Sequence, residues 1–318
     1  MNLSRSKGGE SRPDLRVRPF SFDDDDGDAS PRGVIDISRR APTLPRMRII
    51  RFLSGGQTYL GQAIDGGDDR HALRIEGELL GSHRVTDQRL RVEKLLAPIV
   101  PTDILCIGLN YREHAAESGS QIPVNPMLFI KSGNTLQNPF DPILIPKRSS
   151  QIDYECELAV IIGKTAKHVS KERALDYVLG YTAANDVSSR DWQREKSLGG
   201  GQFARGKSFD TFCPLGPAIV TADEIDNPNA LRIKTILNGQ TMQDHTTGDM
   251  IFDVPTLIES LSSTMTLRPG AVILTGTPQG VGFARTPPVW MKDGDTCVVE
   301  IEKIGRLENP VRNEPQFI

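Results

Sequence analysis

The chain has 318 residues, of which 37% are hydrophobic and 25% charged, and its formal net charge at pH 7 is −3. This length and composition fit a globular protein of about two domains with a substantial core. The chain lacks the clustered Lys and Arg needed to bind nucleic acid, and no apolar run approaches the roughly 20 residues that cross a bilayer, so we expect neither partner.

Residues 1–45 are rich in Arg, Ser, Pro and Asp and contain few apolar side chains, a composition that predicts a disordered tail. Arginines near the start are compatible with a mitochondrial address, but the acidic run at 23–26 argues against one. The start lacks the apolar core of a secretion signal, and four widely spaced cysteines within apolar strings indicate reduced thiols. We therefore predict a cytoplasmic protein.

Two β-rich regions follow this tail. From Met47 the chain alternates apolar stretches around Gly55 and Gly56, which predicts a β-hairpin within a small N-terminal domain at 46–96. A larger catalytic domain is expected at 97–310, where apolar runs are punctuated by Gly and Pro.

Helical patterning is confined to short pieces near 111–118, 171–178 and 254–262. The predicted strands do not alternate regularly with helices, as a parallel α/β sheet would require. We therefore predict a mainly β fold, a β-rich α+β arrangement of mostly antiparallel sheet folded on itself.

The segment GLNYREHAAES at 108–118 places His114 and Glu117 three residues apart on a short predicted helix, so both side chains share one face. A carboxylate that holds and polarises an imidazole suits deprotonation of water or of a carbon acid near neutral pH. An ordinary surface pair is the alternative. Ser118 excludes a zinc motif of the HxxEH type.

The segment QIDYECELAVIIGK at 151–164 carries Glu155 and Glu157 at the head of an apolar strand. Strand side chains alternate faces, so the two carboxylates project together with Cα atoms roughly 6.6 Å apart. If buried, they require protons, cationic side chains or a metal ion. A solvated strand end is the alternative.

The segment GYTAANDVSSRDWQ at 180–193 adds Asp186, followed by Arg190 and Gln193 on one face of a predicted helical turn. Asp186 alone could be a turn or cap residue. With the two glutamates it makes a set of three carboxylates without His or Cys, which suits a hard cation such as Mg²⁺ or Mn²⁺.

Two later segments carry further polar candidates. Lys207 in FARGKSFDTFCPLGP precedes an apolar stretch, where partial burial would make it a partner for negative charge or a proton donor. In LTGTPQGVG, backbone amides and the Thr277 hydroxyl could meet a carboxylate. The glycines at 199–201 suggest a mobile lid or a featureless loop.

Taken in order, NYREHAAE, DYECELAVIIGK, NDVSSRDWQ, GKSFDTFCPLGP and LTGTPQGVG resemble the signature blocks of the fumarylacetoacetate hydrolase family over roughly residues 100–305. The resemblance implies stacked and rolled mixed sheets with few short helices, a divalent-metal site and usually a homodimer. It matches Glu155, Glu157 and Asp186 to metal ligands, and His114 and Glu117 to a water-activating pair. The substrate-contacting positions that it implies are Arg190, Gln193, Lys207 and Thr277. We group Lys207 with the catalytic pair because it would meet charge on the reacting oxygen.

The family's substrates are 2-oxo and 2,4-dioxo acids, so the resemblance implies a small-molecule substrate and a metal-stabilised enolate with Mg²⁺ or Mn²⁺. We predict hydrolysis of a carbon–carbon bond in an acylpyruvate-type substrate. Oxaloacetate enol–keto tautomerisation, isomerisation or decarboxylation stays open, because PPVWMKDGDTCVVEIEKIG at 287–305 looks closest to the branch that includes oxaloacetate tautomerases. A non-catalytic metal-binding module is the remaining alternative.

Overall fold

The computed structural model describes residues 47–64 and 68–316, so the predicted disordered tail at 1–45 lies outside the described residues. The described chain is mainly β, with a few short helices, which confirms the predicted fold class. Its α-helices are α1 (Arg112–Glu117), α2 (Arg190–Arg194), α3 (Phe203–Lys207) and α4 (Val254–Thr264). Its strands are β1 (Arg48–Ser54), β2 (Gln57–Ile64), β3 (Asp68–Gly77), β4 (His83–Arg91), β5 (Lys94–Leu96), β6 (Ile104–Ile107), β7 (Leu128–Lys131), β8 (Leu136–Gln137), β9 (Ile143–Ile145), β10 (Ile152–Asp153), β11 (Cys156–Ile162), β12 (Val178–Asn185), β13 (Ser188–Ser189), β14 (Cys213–Thr221), β15 (Arg232–Leu237), β16 (Gln240–Thr246), β17 (Val272–Leu274), β18 (Thr296–Ile301) and β19 (Gly305–Asn313).

Two large sheets organise these strands. The path β4-β3-β2-β1-β14-β12-β11-β17-β6-β7 runs through a 12-stranded sheet, and β16-β15-β18-β19-β9 forms a five-stranded one. Neighbouring strands are antiparallel except where β17 pairs with β6, β14 with β8 and β19 with β9. The sheets are therefore mixed, as the family resemblance implies.

The first hairpin forms where the sequence predicts it. β1 and β2 pair up to Ser54 and Gln57. Gly55 and Gly56 between them have φ of 55° and 77°, a backbone region that glycine enters without steric cost. β1 also pairs with β14, so the first strands extend the large sheet. The predicted boundary between 46–96 and 97–310 stays a prediction.

β11 lies inside this sheet and is buried along its whole length. Leu158 and Val160 pack into one hydrophobic cluster, while Ala159 and Ile161 pack into another on the opposite face. Burying each large aliphatic side chain contributes about 1.5–3 kcal/mol. A strand held on both faces gives the residues at its head a rigid position in the protein interior.

The helix α4 begins at a capped end. Asp253 accepts a hydrogen bond from the Thr256 backbone amide at 2.9 Å, and its other oxygen lies 2.9 Å from the Lys171 ammonium. The segment Lys171–Tyr177, which the sequence marks as helical, is a 3₁₀ helix. The structure contains no helix, among its described residues, that is long and apolar enough to span a membrane.

Candidate active site

Three carboxylates from two neighbouring strands converge at one edge of the sheet. Glu155 precedes β11, Glu157 lies within it, and Asp186 follows β12. Because β11 and β12 are antiparallel, the head of one lies beside the end of the other, and the Asp186 amide donates to the Glu155 carbonyl at 2.9 Å. The three side chains are buried, and each offers an oxygen within 4.8 Å of the others. The solvated-strand alternative is thus ruled out.

Cationic side chains neutralise two of these carboxylates. Lys207 Nζ donates to Glu155 and to Asp186 at 2.6 Å each, Arg190 donates to Glu155 at 2.5 Å, and Lys131 donates to Asp186 at 2.5 Å. Burial alone would raise the pKa of Glu155, but Lys207 and Arg190 lower it to about 2. Burial would lower the pKa of Lys207, yet Asp186 and Glu155 raise it above its ordinary value. Lys207 is therefore held between two carboxylates that favour its positively charged form.

Glu157 differs from its neighbours because it forms no salt bridge with any described residue. Its one described hydrogen bond comes from the Gly276 amide at 2.6 Å. Glu157 as a whole is only 1% exposed. Burial, followed by repulsion from Asp186 and Glu155, raises the pKa of Glu157 well above its ordinary value. Glu157 is thus a buried acid to which no cation in the described part of the chain is bonded.

The local charge balance fits a bound cation. In this cluster of described residues the buried carboxylates outnumber the buried cations by one: Asp153, Glu155, Glu157 and Asp186 against Lys131, Arg190 and Lys207. A donor set made only of carboxylate oxygens suits a hard divalent ion. The residues present therefore fit such an ion, which would share oxygens of Glu155 and Asp186 with Lys207.

The His114–Glu117 pair forms as predicted on α1. His114 Nδ1 lies 3.1 Å from a Glu117 oxygen, and His114 is buried. The Glu117 carboxylate accepts a hydrogen bond from the Gly280 amide at 2.9 Å. No described residue forms a hydrogen bond with His114 Nε2. In the tautomer that carries its proton on Nδ1, His114 donates to Glu117 and its Nε2 can accept a proton.

The glycine-rich turn at 274–282 donates backbone hydrogen bonds to two carboxylates, but these are side chains of the protein and not a ligand. Its Gly276 amide donates to Glu157 and its Gly280 amide to Glu117. At Gly276, φ is +92° and an added Cβ would lie 2.7 Å from the Asn110 Cβ, so a side chain there would displace the turn. The Thr277 hydroxyl donates to the Cys156 carbonyl at 3.0 Å. This turn holds two of the predicted site residues in place.

These residues surround one cavity of about 260 Å³. Glu117 and Asp186 are not part of its lining; the first contacts His114 and the second contacts Lys207, both of which line it. Seven of the nine predicted site residues line it: His114, Glu155, Glu157, Arg190, Gln193, Lys207 and Thr277. The cavity is partly open and is large enough for a small acid.

The predicted substrate contacts of Arg190 and Gln193 stay predictions. Arg190 already donates Nε to Asp153 at 2.8 Å, Nη1 to Gln193 at 3.0 Å and Nη2 to Glu155. Each nitrogen of this guanidinium therefore has an acceptor inside the protein. Arg190 serves first to fix the site's carboxylates.

Sequence reasoning missed four residues of this region. Asp153 accepts from Arg190 and from the Gly282 and Phe283 amides, and Lys131 donates to Asp186. Strand alternation already places Asp153 on the face of Glu155 and Glu157, a signal that could have found it. The other two, Arg194 and Phe283, line the cavity.

Comparisons with known proteins identify the family of this chain. A model of the fumarylacetoacetate (FAA) hydrolase C-terminal family matches residues 103–312. The chain is 42% identical to "Oxaloacetate tautomerase fahd2, mitochondrial" of Xenopus laevis, over 98% of this chain and 93% of the relative. It is 41% identical to "Oxaloacetate tautomerase FAHD2A, mitochondrial" of Homo sapiens, over 88% and 84%.

Solved structures agree as well. The chain superimposes with a TM-score of 0.73 on 2-hydroxyhepta-2,4-diene-1,7-dioate isomerase from Mycobacterium marinum, at 37% identity over 85% of this chain and 100% of the other. Against fumarylacetoacetate hydrolase from Exiguobacterium antarcticum the TM-score is 0.72 at 37% identity, over 84% and 100%.

The prediction of a cytoplasmic protein is wrong, because tautomerase relatives from frog, rat, cattle and human are all named as mitochondrial. The prediction relied on the acidic run at 23–26, but four arginines precede that run, at 5, 12, 16 and 18. The four cysteines are buried and free, as expected, but reduced thiols do not distinguish these two compartments.

Proposed function

Because the chain belongs to the fumarylacetoacetate hydrolase family, we propose that it catalyses the enol–keto tautomerisation of oxaloacetate with a divalent cation, Mg²⁺ or Mn²⁺. The observation that carries the proposal is one cavity lined by Glu155, Glu157 and His114, in which two acids of the carboxylate triad face an imidazole whose Nε2 has no hydrogen-bond partner among the described residues. Its relatives named as tautomerases support this reaction over the hydrolysis that the sequence alone favoured.

Tautomerisation removes the proton from the C2 hydroxyl of the enol and adds a proton at C3, so the composition of the substrate does not change. We assign His114 Nε2 as the acceptor of the first proton, since the Glu117 carboxylate lies where it can hold a proton on Nδ1. The imidazolium formed in this step carries a proton that can be returned to C3. The Glu117 carboxylate stabilises that imidazolium, since the two lie 3.1 Å apart.

Negative charge develops on the C2 oxygen as its proton leaves. Lys207 supplies a fixed positive charge in the cavity wall, and the carboxylates that hold Lys207 prevent it from turning away. A divalent ion held by Glu155, Glu157 and Asp186 would supply further positive charge to the carboxylate and 2-oxo oxygens of the substrate.

Hydrolysis of an acylpyruvate is the second candidate. It is favoured by the similarity to a fumarylacetoacetate hydrolase and by the His114–Glu117 pair, which suits activation of water equally well. The two reactions differ in what His114 deprotonates, the substrate or a water molecule.

We also propose a mitochondrial location, on the names of the relatives, and a homodimer, on the family resemblance. Subcellular fractionation with antibodies against this chain and a matrix marker tests the first proposal. Recovery of the protein outside mitochondria would contradict it.

An absorbance assay tests the reaction. Purified protein with Mg²⁺ is mixed with enol-oxaloacetate, acetylpyruvate or fumarylpyruvate, and loss of each enol is followed beside an enzyme-free control with the same Mg²⁺. We expect fast conversion of enol-oxaloacetate and little release of pyruvate from either dioxo acid. Dioxo-acid cleavage without conversion of enol-oxaloacetate would overturn the proposal and favour hydrolysis.

A variant pair tests the role of the imidazole. His114→Gln should lower kcat/KM for enol-oxaloacetate by about 10²- to 10⁴-fold, the usual contribution of a general acid–base group. Glu113→Gln, an exposed change on the same helix, should leave it unchanged. Equal activity of both variants would remove His114 from the mechanism.

A further inference from the structure

Arg194 is a cationic residue in the cavity that the mechanism does not use. It ends α2 and lines the same cavity as Glu155, Glu157 and His114. Among the described residues its guanidinium forms neither a hydrogen bond nor a salt bridge, and its one described contact is the face of the Phe283 ring at 4.3 Å. Its hydrogen-bond donors are therefore available to a ligand.

The contrast with Arg190 shows why this availability matters. Both guanidinium groups contact Phe283, Arg190 at 4.5 Å, but Arg190 donates every nitrogen to protein acceptors. Partial burial, followed by repulsion from Arg190, lowers the pKa of Arg194 from its ordinary value. An anion beside Arg194 would relieve that repulsion.

Phe283 fixes where the Arg194 guanidinium lies relative to the reacting groups. The edge of its ring meets His114 at a centroid distance of 6.3 Å, while Arg190 and Arg194 both contact the same ring. The Phe283 ring thus contacts both the His114 imidazole, to which we assign proton transfer, and the Arg194 guanidinium. Both groups line the same cavity, so a small ligand inside it meets both in its walls.

We propose that Arg194 binds the distal carboxylate of a short 2-oxo dicarboxylate and thereby sets the preference of the site for dicarboxylates over monocarboxylates. The planar guanidinium matches a carboxylate through two parallel hydrogen bonds, and its stacking on Phe283 orders it before the ligand arrives. The inference rests on the proposed function only for the identity of the substrate; the binding preference is a separate property.

Calorimetric titration in Mg²⁺ tests this inference with two four-carbon acids that do not enolise, malate and 2-hydroxybutyrate. They share the 2-hydroxy acid head and differ in the distal group, a carboxylate or a methyl. We expect the wild-type protein to bind malate more tightly. Arg194→Met should weaken malate binding at least about tenfold with 2-hydroxybutyrate unchanged, because one charge-assisted contact is lost. Arg194→Lys should restore part of the loss.

Arg205→Met is the matched control, because Arg205 also stacks on an aromatic ring, Trp192 at 4.9 Å, but does not line this cavity. It should leave binding of both acids unchanged. Three results would overturn the inference: no preference for malate in the wild-type protein, whether or not either acid binds; an equal loss for both acids in Arg194→Met; or an unchanged preference in that variant.

The enol-oxaloacetate assay separates this inference from the proposed function. If the wild-type protein does not convert enol-oxaloacetate but its preference for malate disappears in Arg194→Met, then the proposed reaction fails and the role of Arg194 stands. If conversion is fast and the preference for malate does not depend on Arg194, then the proposed reaction stands and the role of Arg194 fails.

Discussion

At the scale of single residues, the site is determined by which charges have partners. Glu155 and Asp186 are each neutralised by two cationic side chains, whereas among the described residues Glu157 has only a backbone amide as a hydrogen-bond partner. A buried carboxylate without a cation destabilises the fold unless a proton or a metal ion joins it. We therefore predict that Glu157 links binding of the proposed metal ion to stability.

Replacing Glu157 by Gln tests this link. In the presence of a chelator, Glu157→Gln should melt at or above the temperature of the wild-type protein, because the change removes repulsion from Asp186 and Glu155. Mg²⁺ at 100 times its Kd should stabilise the wild-type protein by about 2.7 kcal/mol and the variant far less. Scanning calorimetry with and without Mg²⁺ measures both effects.

Glu113→Gln serves as the control for this experiment, since Glu113 is exposed. It should keep the full stabilisation by Mg²⁺. A Glu157→Gln protein that gains as much stability from Mg²⁺ as the wild type would show that the ion binds elsewhere.

Much of the site could be predicted because strand periodicity and motif order are local in sequence. The alternation that pairs Glu155 with Glu157 is a property of any strand. The roles of Lys131 and Arg194 could not be found this way, because they depend on which distant elements fold against them. A lysine at the end of an apolar strand is the only local signal that Lys131 gives.

At the scale of elements, short helices were the hardest to predict. The stretch 171–178 has apolar spacing that fits an α-helix and a 3₁₀ helix equally well, and the structure contains the latter over Lys171–Tyr177. The sequence does not predict α3, which spans five residues. Five residues make fewer than two helical turns, so no hydrophobic periodicity can show. The long α4 was predicted from its periodicity alone.

The cap of α4 gives a test at this scale. Asp253→Ala should lower the free energy of unfolding by about 0.5–2 kcal/mol at pH 7, because the Thr256 amide loses its acceptor. Asp253→Asn should keep most of the stability, since Asn also caps helices. Urea titrations of the three proteins measure these differences. An alanine variant as stable as the wild type would show that the cap contributes nothing.

The same residue predicts a pH dependence. Burial would raise the pKa of Asp253, but hydrogen bonds from Thr256 and Lys171 outweigh it and lower the pKa below its ordinary value. A lowered folded-state pKa stabilises the fold above the unfolded-state value, about 3.9, and that contribution disappears as the pH falls through the folded value. The difference between wild type and Asp253→Ala should therefore shrink from pH 6 towards pH 3. A difference that grows on acidification would contradict the assignment.

At the scale of the whole molecule, the large sheet ends at an apolar edge. β7 is its last strand, and Ile130 on that strand is 56% exposed. Val124 in the preceding loop is 89% exposed. Edge strands of monomeric proteins usually carry charges or are covered, so this edge favours contact with a second chain.

Light scattering on a sizing column tests the predicted homodimer. We expect twice the 35.0 kDa of one chain for the wild type. Ile130→Lys should shift the protein towards the monomer, because it puts a charge on the apolar edge. Val100→Lys, at an exposed apolar residue that lies outside the strands, is the control. A wild-type monomer would exclude the homodimer, and a dimeric Ile130→Lys would place the contact elsewhere.

The position of Lys207, 2.6 Å from oxygens of both Glu155 and Asp186, has a consequence for the life of the protein in the cell. An ammonium group that already bridges two of the three acids lets the protein fold and persist before any ion arrives. If the proposed reaction needs a divalent ion, shortage of that ion would then silence the protein without removing it. Turnover would resume when the ion returns, with no need for new synthesis.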